Sequence, residues 1–132
     1  MSVKHLCLLA VAVIIACGPK ASGPPTSTVA RRANTLVAAE IVAAKADIGT
    51  AYDALTRLRP NWLTAHGVSS LNPRANEFAT VFVEGQLYGG LETLRNIQAY
   101  QVASLRYYDV TQAGAQFGLR AGSGGAIEVK LK

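Results

Sequence analysis

Residues 81–97 read VFVEGQLYGGLETLRNI, residues 102–118 read VASLRYYDVTQAGAQFG, and residues 124–131 read GGAIEVKL. Ala79–Glu84 is rich in β-branched and aromatic side chains, and Gly85 supplies a turn, so Gln86–Tyr88 returns as the second strand of a hairpin. Leu91, Leu94 and Ile97 share one side of a short helix over Leu91–Ile97. Val102–Tyr108 is a further strand, with Ala103, Leu105 and Tyr107 alternating against Ser104, Arg106 and Tyr108. Asp109, three residues before Gln112, is placed to cap a helix over Val110–Phe117, and Gly118 suits its end. Leu119–Gly125 reads as a glycine-rich loop. Ala126–Leu131 closes the pattern as a strand with Ile127, Val129 and Leu131 on one side and Ala126, Glu128 and Lys130 on the other.

Upstream, Thr35-Leu36-Val37 is a candidate first strand, with a helical turn or more over Ala39–Ala46. Ile48, Ala51, Tyr52, Leu55 and Leu58 form one apolar face, which predicts a helix over Ile48–Leu58 that Pro60 ends. Trp62 and Leu63 are expected to fold back onto that face, and Thr64–Asn76 reads as a polar loop. The whole is an α+β arrangement, a small mixed β-sheet with short helices.

The amino-terminal quarter is different in kind. Met1–His5 carries Lys4, and Leu6–Ala16 is an unbroken apolar run of 11 residues. That run is too short to span a bilayer, which takes about 20 residues, but it suits the apolar core of an export signal. It ends Ile14-Ile15-Ala16-Cys17-Gly18, which resembles the bacterial lipobox. This resemblance implies that residues 1–16 are a signal peptide cut before Cys17, and that the Cys17 thiol carries the lipidation. Two or three acyl chains suffice for stable anchoring. Gly18, in place of Asp, resembles the pattern that sends such lipoproteins to the outer membrane of a diderm bacterium, facing the periplasm. The segment Gly18–Asn34, GPKASGPPTSTVARRAN, has almost nothing to bury and reads as a flexible linker with an r.m.s. span of about 23 Å. The division is therefore residues 1–16, lipid-bearing Cys17 and linker to residue 34, and a domain over residues 35–132.

The net charge of +5 lies mostly outside that domain. From Thr35 onward there are nine Lys and Arg against eight Asp and Glu, a net of +1. A near-neutral domain without a basic stripe argues against nucleic-acid binding. Cys7 and Cys17 both precede the domain, so its core is expected to stand without disulfides.

The ordered motifs of the second half, over about Val81–Leu131, resemble the plug domain of TonB-dependent outer-membrane receptors. There a strand–Asp-Gly–strand hairpin leads to a short helix and an I-x-S-I-E-V type strand. A small-residue helix ending in Tyr-Gly or Phe-Gly follows, then Gly-Gly-x-Ile and a closing strand. Tyr52–Leu63, YDALTRLRPNWL, corresponds to the plug's early helix. Glu84 departs from the usual Asp before the turn glycine. A receptor barrel needs several hundred further residues of alternating strands. The resemblance therefore implies a plug-like fold in the cell envelope, as in small lipoproteins carrying such a domain alone, and it does not imply transport.

No catalytic or cofactor constellation is legible. His66 is the one histidine after residue 5, and one imidazole does not make a metal site. Ser123, His66 and Asp109 lack a nucleophile-elbow sequence. Gly122-Ser123-Gly124-Gly125 enters a strand and has no Gly-Lys-Ser/Thr, so it is no phosphate loop. Glu84 and Glu92 flank the hairpin as solvated charges. The expectation is a non-enzymatic protein that takes no cofactor or metal and binds an envelope protein, such as an outer-membrane receptor, or a small ligand. Glu84, Gly85 and Gln86 of the hairpin, Gly124 and Gly125 of the glycine loop, and Arg57 and Arg59 beside Trp62 are the candidate contact residues. For Trp62 the leading reading is packing beneath the helix, with both arginines solvated; Tyr100, Tyr107 and Tyr108 are open between core edge and contact surface. Two alternatives stand beside this: an accessory subunit of an outer-membrane receptor complex without ligand binding, and a small hydrolase of unrecognised chemistry.

Overall fold

The computed structural model describes residues 33–44, 47–66 and 77–132. The expected signal peptide, Cys17 and most of the linker lie outside these residues, as does most of the loop expected over Thr64–Asn76. Five strands form one mixed sheet in the order β1-β4-β5-β2-β3. They are β1 (Thr35–Val37), β2 (Thr80–Val83), β3 (Gln86–Gly89), β4 (Val102–Tyr108) and β5 (Ala126–Leu131). β2 and β5 run parallel, and the other pairs are antiparallel. Among the described residues the α-helices with given bounds are α1 (Ala38–Ala43), α2 (Ala51–Leu58) and α3 (Val110–Phe117). The expected α+β class and the small mixed sheet with short helices are what the chain forms.

α2 begins three residues later than its apolar spacing suggests, because a capping box sets its start. Asp53 N–H donates to Thr50 Oγ1, and both the Thr50 N–H and its hydroxyl donate to Asp53 Oδ2, at 2.9 and 2.8 Å. These bonds satisfy amides that an uncapped helix leaves without partners. Ile48 stays outside the helix yet packs on the core, since Ala51 N–H donates to Ile97 O and Ala99 N–H to Gly49 O. At the other end Arg59 leaves helical geometry, and Pro60 opens a 3-10 turn over Pro60–Leu63 that folds Trp62 under the helix, 1% exposed. Leu91–Asn96 is likewise a 3-10 helix, a tighter winding that still buries Leu94. Part of the expected glycine loop is also a 3-10 turn, Gly118–Ala121.

Both faces of the sheet are covered. On one lie α1, α2 and the 3-10 segments Pro60–Leu63 and Leu91–Asn96, with Leu36, Leu55, Trp62, Val81, Leu94, Leu105, Ile127 and Val129 fully or almost fully buried. On the other, α3 and the Gly118–Ala121 turn cover Phe82, Tyr108 and Ala126. Phe117 stacks on Phe82 with ring centroids 4.0 Å apart and meets Tyr108 edge-on at 5.4 Å. The edge-on contact suits the charge distribution of the rings.

Burial on both faces corrects two expectations of simple alternation. Central strand β5 buries Ala126, Ile127, Glu128 and Val129 in succession, as strands covered on both sides do. Glu128 is therefore 7% exposed rather than solvated. Tyr108, expected on the polar side of β4, is buried against α3.

Candidate functional site

The hairpin tip has the geometry its sequence requires. Glu84 (φ 49°) and Gly85 (φ 79°) both adopt the left-handed region, the signature of a two-residue type I′ connection. Glycine enters this region freely, whereas glutamate is held there at a cost of roughly 1–2 kcal/mol. Its side chain offsets that cost: Glu84 Oε1 accepts from the Leu131 N–H at 2.6 Å, and Glu84 N–H donates to Val129 O at 3.0 Å. The longer side chain thus reaches the far end of β5 and latches the turn to it. Gln86, on the return strand, is exposed.

Gly124 and Gly125 lie at the opposite end of the sheet from that tip, because Thr80 pairs with Ala126 and Val83 with Val129. Both are buried. A Cβ on Gly124 would overlap the Phe78 carbonyl oxygen, and one on Gly125 (φ 84°) would sit 2.6 Å from the Tyr108 carbonyl oxygen. Their observed part is close backbone packing, which corrects the expectation that they present a contact surface. The fold does not bring them together with Glu84–Gln86.

Arg57 is exposed on α2. Arg59 instead ties elements together: it donates to Glu40 Oε2 at 2.9 Å, to Leu58 O at 2.9 Å and to Ala33 O at 3.3 Å. Trp62 stacks on Tyr107 with centroids 5.8 Å apart, and His66 packs on the outer side of that pair, 5.3 Å from Tyr107. The packing reading of Trp62 holds, while Arg59 is ion-paired rather than merely solvated. The His66 ring is held at Nε2 by the Asn61 carbonyl, 2.6 Å away, and lies 3.3 Å from Thr64 Oγ1. Asp109 accepts from the Gln112 N–H at 2.8 Å and caps α3 as expected. Burial and the nearby Asp109 carboxylate raise the Tyr107 phenol above its ordinary pKa.

A concave surface forms where sequence patterns did not mark one. A cleft of about 430 Å³ is lined by Tyr52, Leu63, Phe78, Gly90, Leu91 and Glu92. Tyr52, Leu63, Phe78 and Leu91 bring aromatic and aliphatic side chains to it, and Glu92 brings one carboxylate. The Arg95 guanidinium lies over the Tyr52 ring at 4.0 Å and stiffens that side. Phe78, Leu87 and Tyr88 stay about half exposed near this edge of the sheet. Tyr52 and Leu91 do belong to the apolar helix faces recognised by spacing, but those patterns cannot distinguish a residue that completes the core from one left at its border. Phe78 precedes β2 in an irregular segment that has no periodicity to read.

Among the described residues, no group of three or more His, Cys, Asp or Glu side chains is placed to hold a metal ion. No helix among them is long and apolar enough to cross a membrane. Comparison with protein-family models finds no match, and no curated protein or solved structure matches the chain either.

Proposed function

We propose that this chain is a lipid-anchored, non-enzymatic binding protein of the bacterial envelope. In this reading Cys17 carries the acyl chains, the segment to residue 34 is the tether, and residues 35–132 are a plug-like binding domain on the outer membrane, facing the periplasm. The occupant of that domain is another envelope protein, such as an outer-membrane receptor.

The observation that carries the binding reading is the cleft beside β3. Its lining of Tyr52, Leu63, Phe78 and Leu91, with the half-exposed Tyr88 on β3 just before its lining residue Gly90, is the kind of aromatic and aliphatic surface that protein contacts use at their centres. Glu92 at its wall adds a charge that selects orientation and partner more than it adds affinity. The anchoring reading is supported by the sequence Ile14-Ile15-Ala16-Cys17 behind an 11-residue apolar run.

The test places a photo-crosslinking residue at Phe78, at Tyr88 or at Leu119 on the opposite face of the sheet, in cells producing the full chain. The expected outcome is one protein captured from positions 78 and 88 and not from 119. Capture of lipid alone, or of the same proteins from all three positions, overturns the binding reading. In the same cells Cys17→Ser is expected to abolish the acyl mass on the chain and release it from membranes; a variant that stays membrane-bound as wild type does overturns the anchoring reading.

A further inference from the structure

We infer that the apolar shelf formed by α1, Ile48 and Tyr100 lies against a lipid surface bearing anionic headgroups. The inference rests on the proposed anchoring at Cys17 and adds to it the orientation of the domain.

α1 reads Ala-Ala-Glu-Ile-Val-Ala. Its Ile41 enters the core, whereas Ala39, Val42 and Ala43 face outward, Val42 being 73% exposed. A surface helix in a water-soluble domain normally turns charged or polar side chains outward. Here the single charge, Glu40, is drawn to Arg59 at 2.9 Å. Tyr100 stands beside the helix, 70% exposed, and a shallow cleft of about 240 Å³ between them is lined by Ala38, Ile41, Val42, Ile48, Ala99, Tyr100 and Lys132. Of the charged residues, Lys132 lines this cleft, and the exposed Glu40 and Asp47 adjoin its lining residues Ile41 and Ile48 in sequence.

Three features select a bilayer as the occupant. First, only 17 residues separate Cys17 from Thr35, a reach of at most about 60 Å however that segment is arranged. An anchored domain therefore meets the membrane at high effective concentration, and a patch too small to bind from solution suffices. Second, a tyrosine beside aliphatic side chains matches the boundary between acyl chains and headgroups, where one end of the ring is apolar and the other wet. Third, Lys132 lies on the shelf and Lys20, Arg31 and Arg32 lie in the tether, so the approach is favoured by anionic lipid and weakened by salt.

The test uses the full chain carrying Cys7→Ser, purified from membranes, with one added cysteine for an environment-sensitive fluorophore. Val42→Cys places the probe on the shelf, and Leu119→Cys places it on the other face of the sheet. Each protein is reconstituted into vesicles of phosphatidylethanolamine and phosphatidylglycerol that contain nitroxide-bearing lipid. The expected result is a blue shift and several-fold stronger quenching at position 42 than at 119. That contrast should fall in phosphatidylcholine vesicles and on adding Tyr100→Asp. Equal quenching at the two positions, or none at 42 on an acylated chain, overturns the inference. So does shielding of the position-42 probe that grows with protein concentration in detergent without vesicles, since the shelf then binds a second copy. The mass of the purified chain reports acylation of Cys17 separately. An unmodified Cys17 overturns the anchoring reading and the shelf inference with it, whereas an acylated Cys17 without the contrast between positions 42 and 119 overturns the shelf inference alone.

Discussion

The Tyr108 hydroxyl donates to Glu128 Oε2 at 2.8 Å, joining two neighbouring strands beneath α3. Both residues are buried, and Lys130 Nζ reaches the other carboxylate oxygen at 3.5 Å. Arg106, opposite Glu128 in the ladder, lies over the Tyr108 ring at 4.9 Å. Burying a carboxylate is costly unless it is hydrogen-bonded and paired. Tyr108→Phe keeps the ring contacts with Phe117 and removes the donor, so it is expected to destabilise the domain by about 1–3 kcal/mol. Equilibrium urea unfolding at neutral pH checks this.

The same pair sets an alkaline limit. Burial first, and the bond to Glu128 second, hold the Tyr108 phenol above its ordinary value of 10.0. The folded state therefore keeps this proton where the unfolded chain loses it. The contribution is fully present below pH about 10 and is lost as pH rises through the folded value. Tyr107 is raised in the same direction, chiefly by burial. Unfolding midpoints measured from pH 8 upward are expected to fall beyond about pH 10, and less steeply in Tyr108→Phe than in the wild type.

Glu84 explains how a hairpin can carry a residue poorly suited to its turn. The positive φ of Glu84 is held by its reach to the Leu131 N–H. Glu84→Ala keeps the strained backbone and removes the latch, with an expected loss of about 1 kcal/mol. Hydrogen exchange at the Leu131 amide is the direct readout. Its protection should drop in Glu84→Ala by more than that of the Val129 amide in the middle of β5. Glu84→Gly, which relieves the backbone while losing the same bond, should lie closer to the wild type in stability.

The capping box of α2 predicts an acid limit. Hydrogen bonds from Thr50, its side chain first and its backbone second, hold the Asp53 carboxyl below the usual range for an aspartate. Its contribution is present above the unfolded value, near 3.8, and is lost as pH falls through the lower folded value. Thermal melts between pH 6 and 2 should show wild type and Asp53→Asn separated at the upper end and converging at the lower end. Thr50→Val, which removes the hydroxyl at constant shape, should narrow the same gap.

Strand positions, the cap at Asp109 and the turn at Gly85 were legible because each depends on a few adjacent residues: alternation, a short polar side chain, a missing Cβ. What escaped depends on which elements lie above and below a strand. Ile127, Val129 and Leu131 alternate with Glu128 and Lys130 just as they would on a half-exposed strand. Only the arrival of α3 over the second face makes Glu128 a core residue. The cleft is a vacancy between Tyr52 on α2, Leu91 on a 3-10 helix and Phe78 on an irregular segment, and a gap among three distant segments has no local pattern. Glycine composition alone did not separate a contact loop at Gly124 and Gly125 from close backbone approach.

Two glycines make that distinction measurable. Gly124 is buried where a Cβ would overlap the Phe78 carbonyl oxygen, a backbone atom held at the entry to β2. Gly114 sits within α3 with open space around its Cβ position. Gly124→Ala must push backbone apart where β2 and β5 enter the sheet, and should destabilise the domain by about 1–3 kcal/mol. Gly114→Ala restricts the unfolded chain and raises helix propensity without a clash, and should stabilise it by about 0.4–1 kcal/mol. Chemical denaturation of both variants beside wild type tests the pair. Opposite signs are expected. A Gly124→Ala variant as stable as wild type would show that the glycine serves mobility there instead of packing.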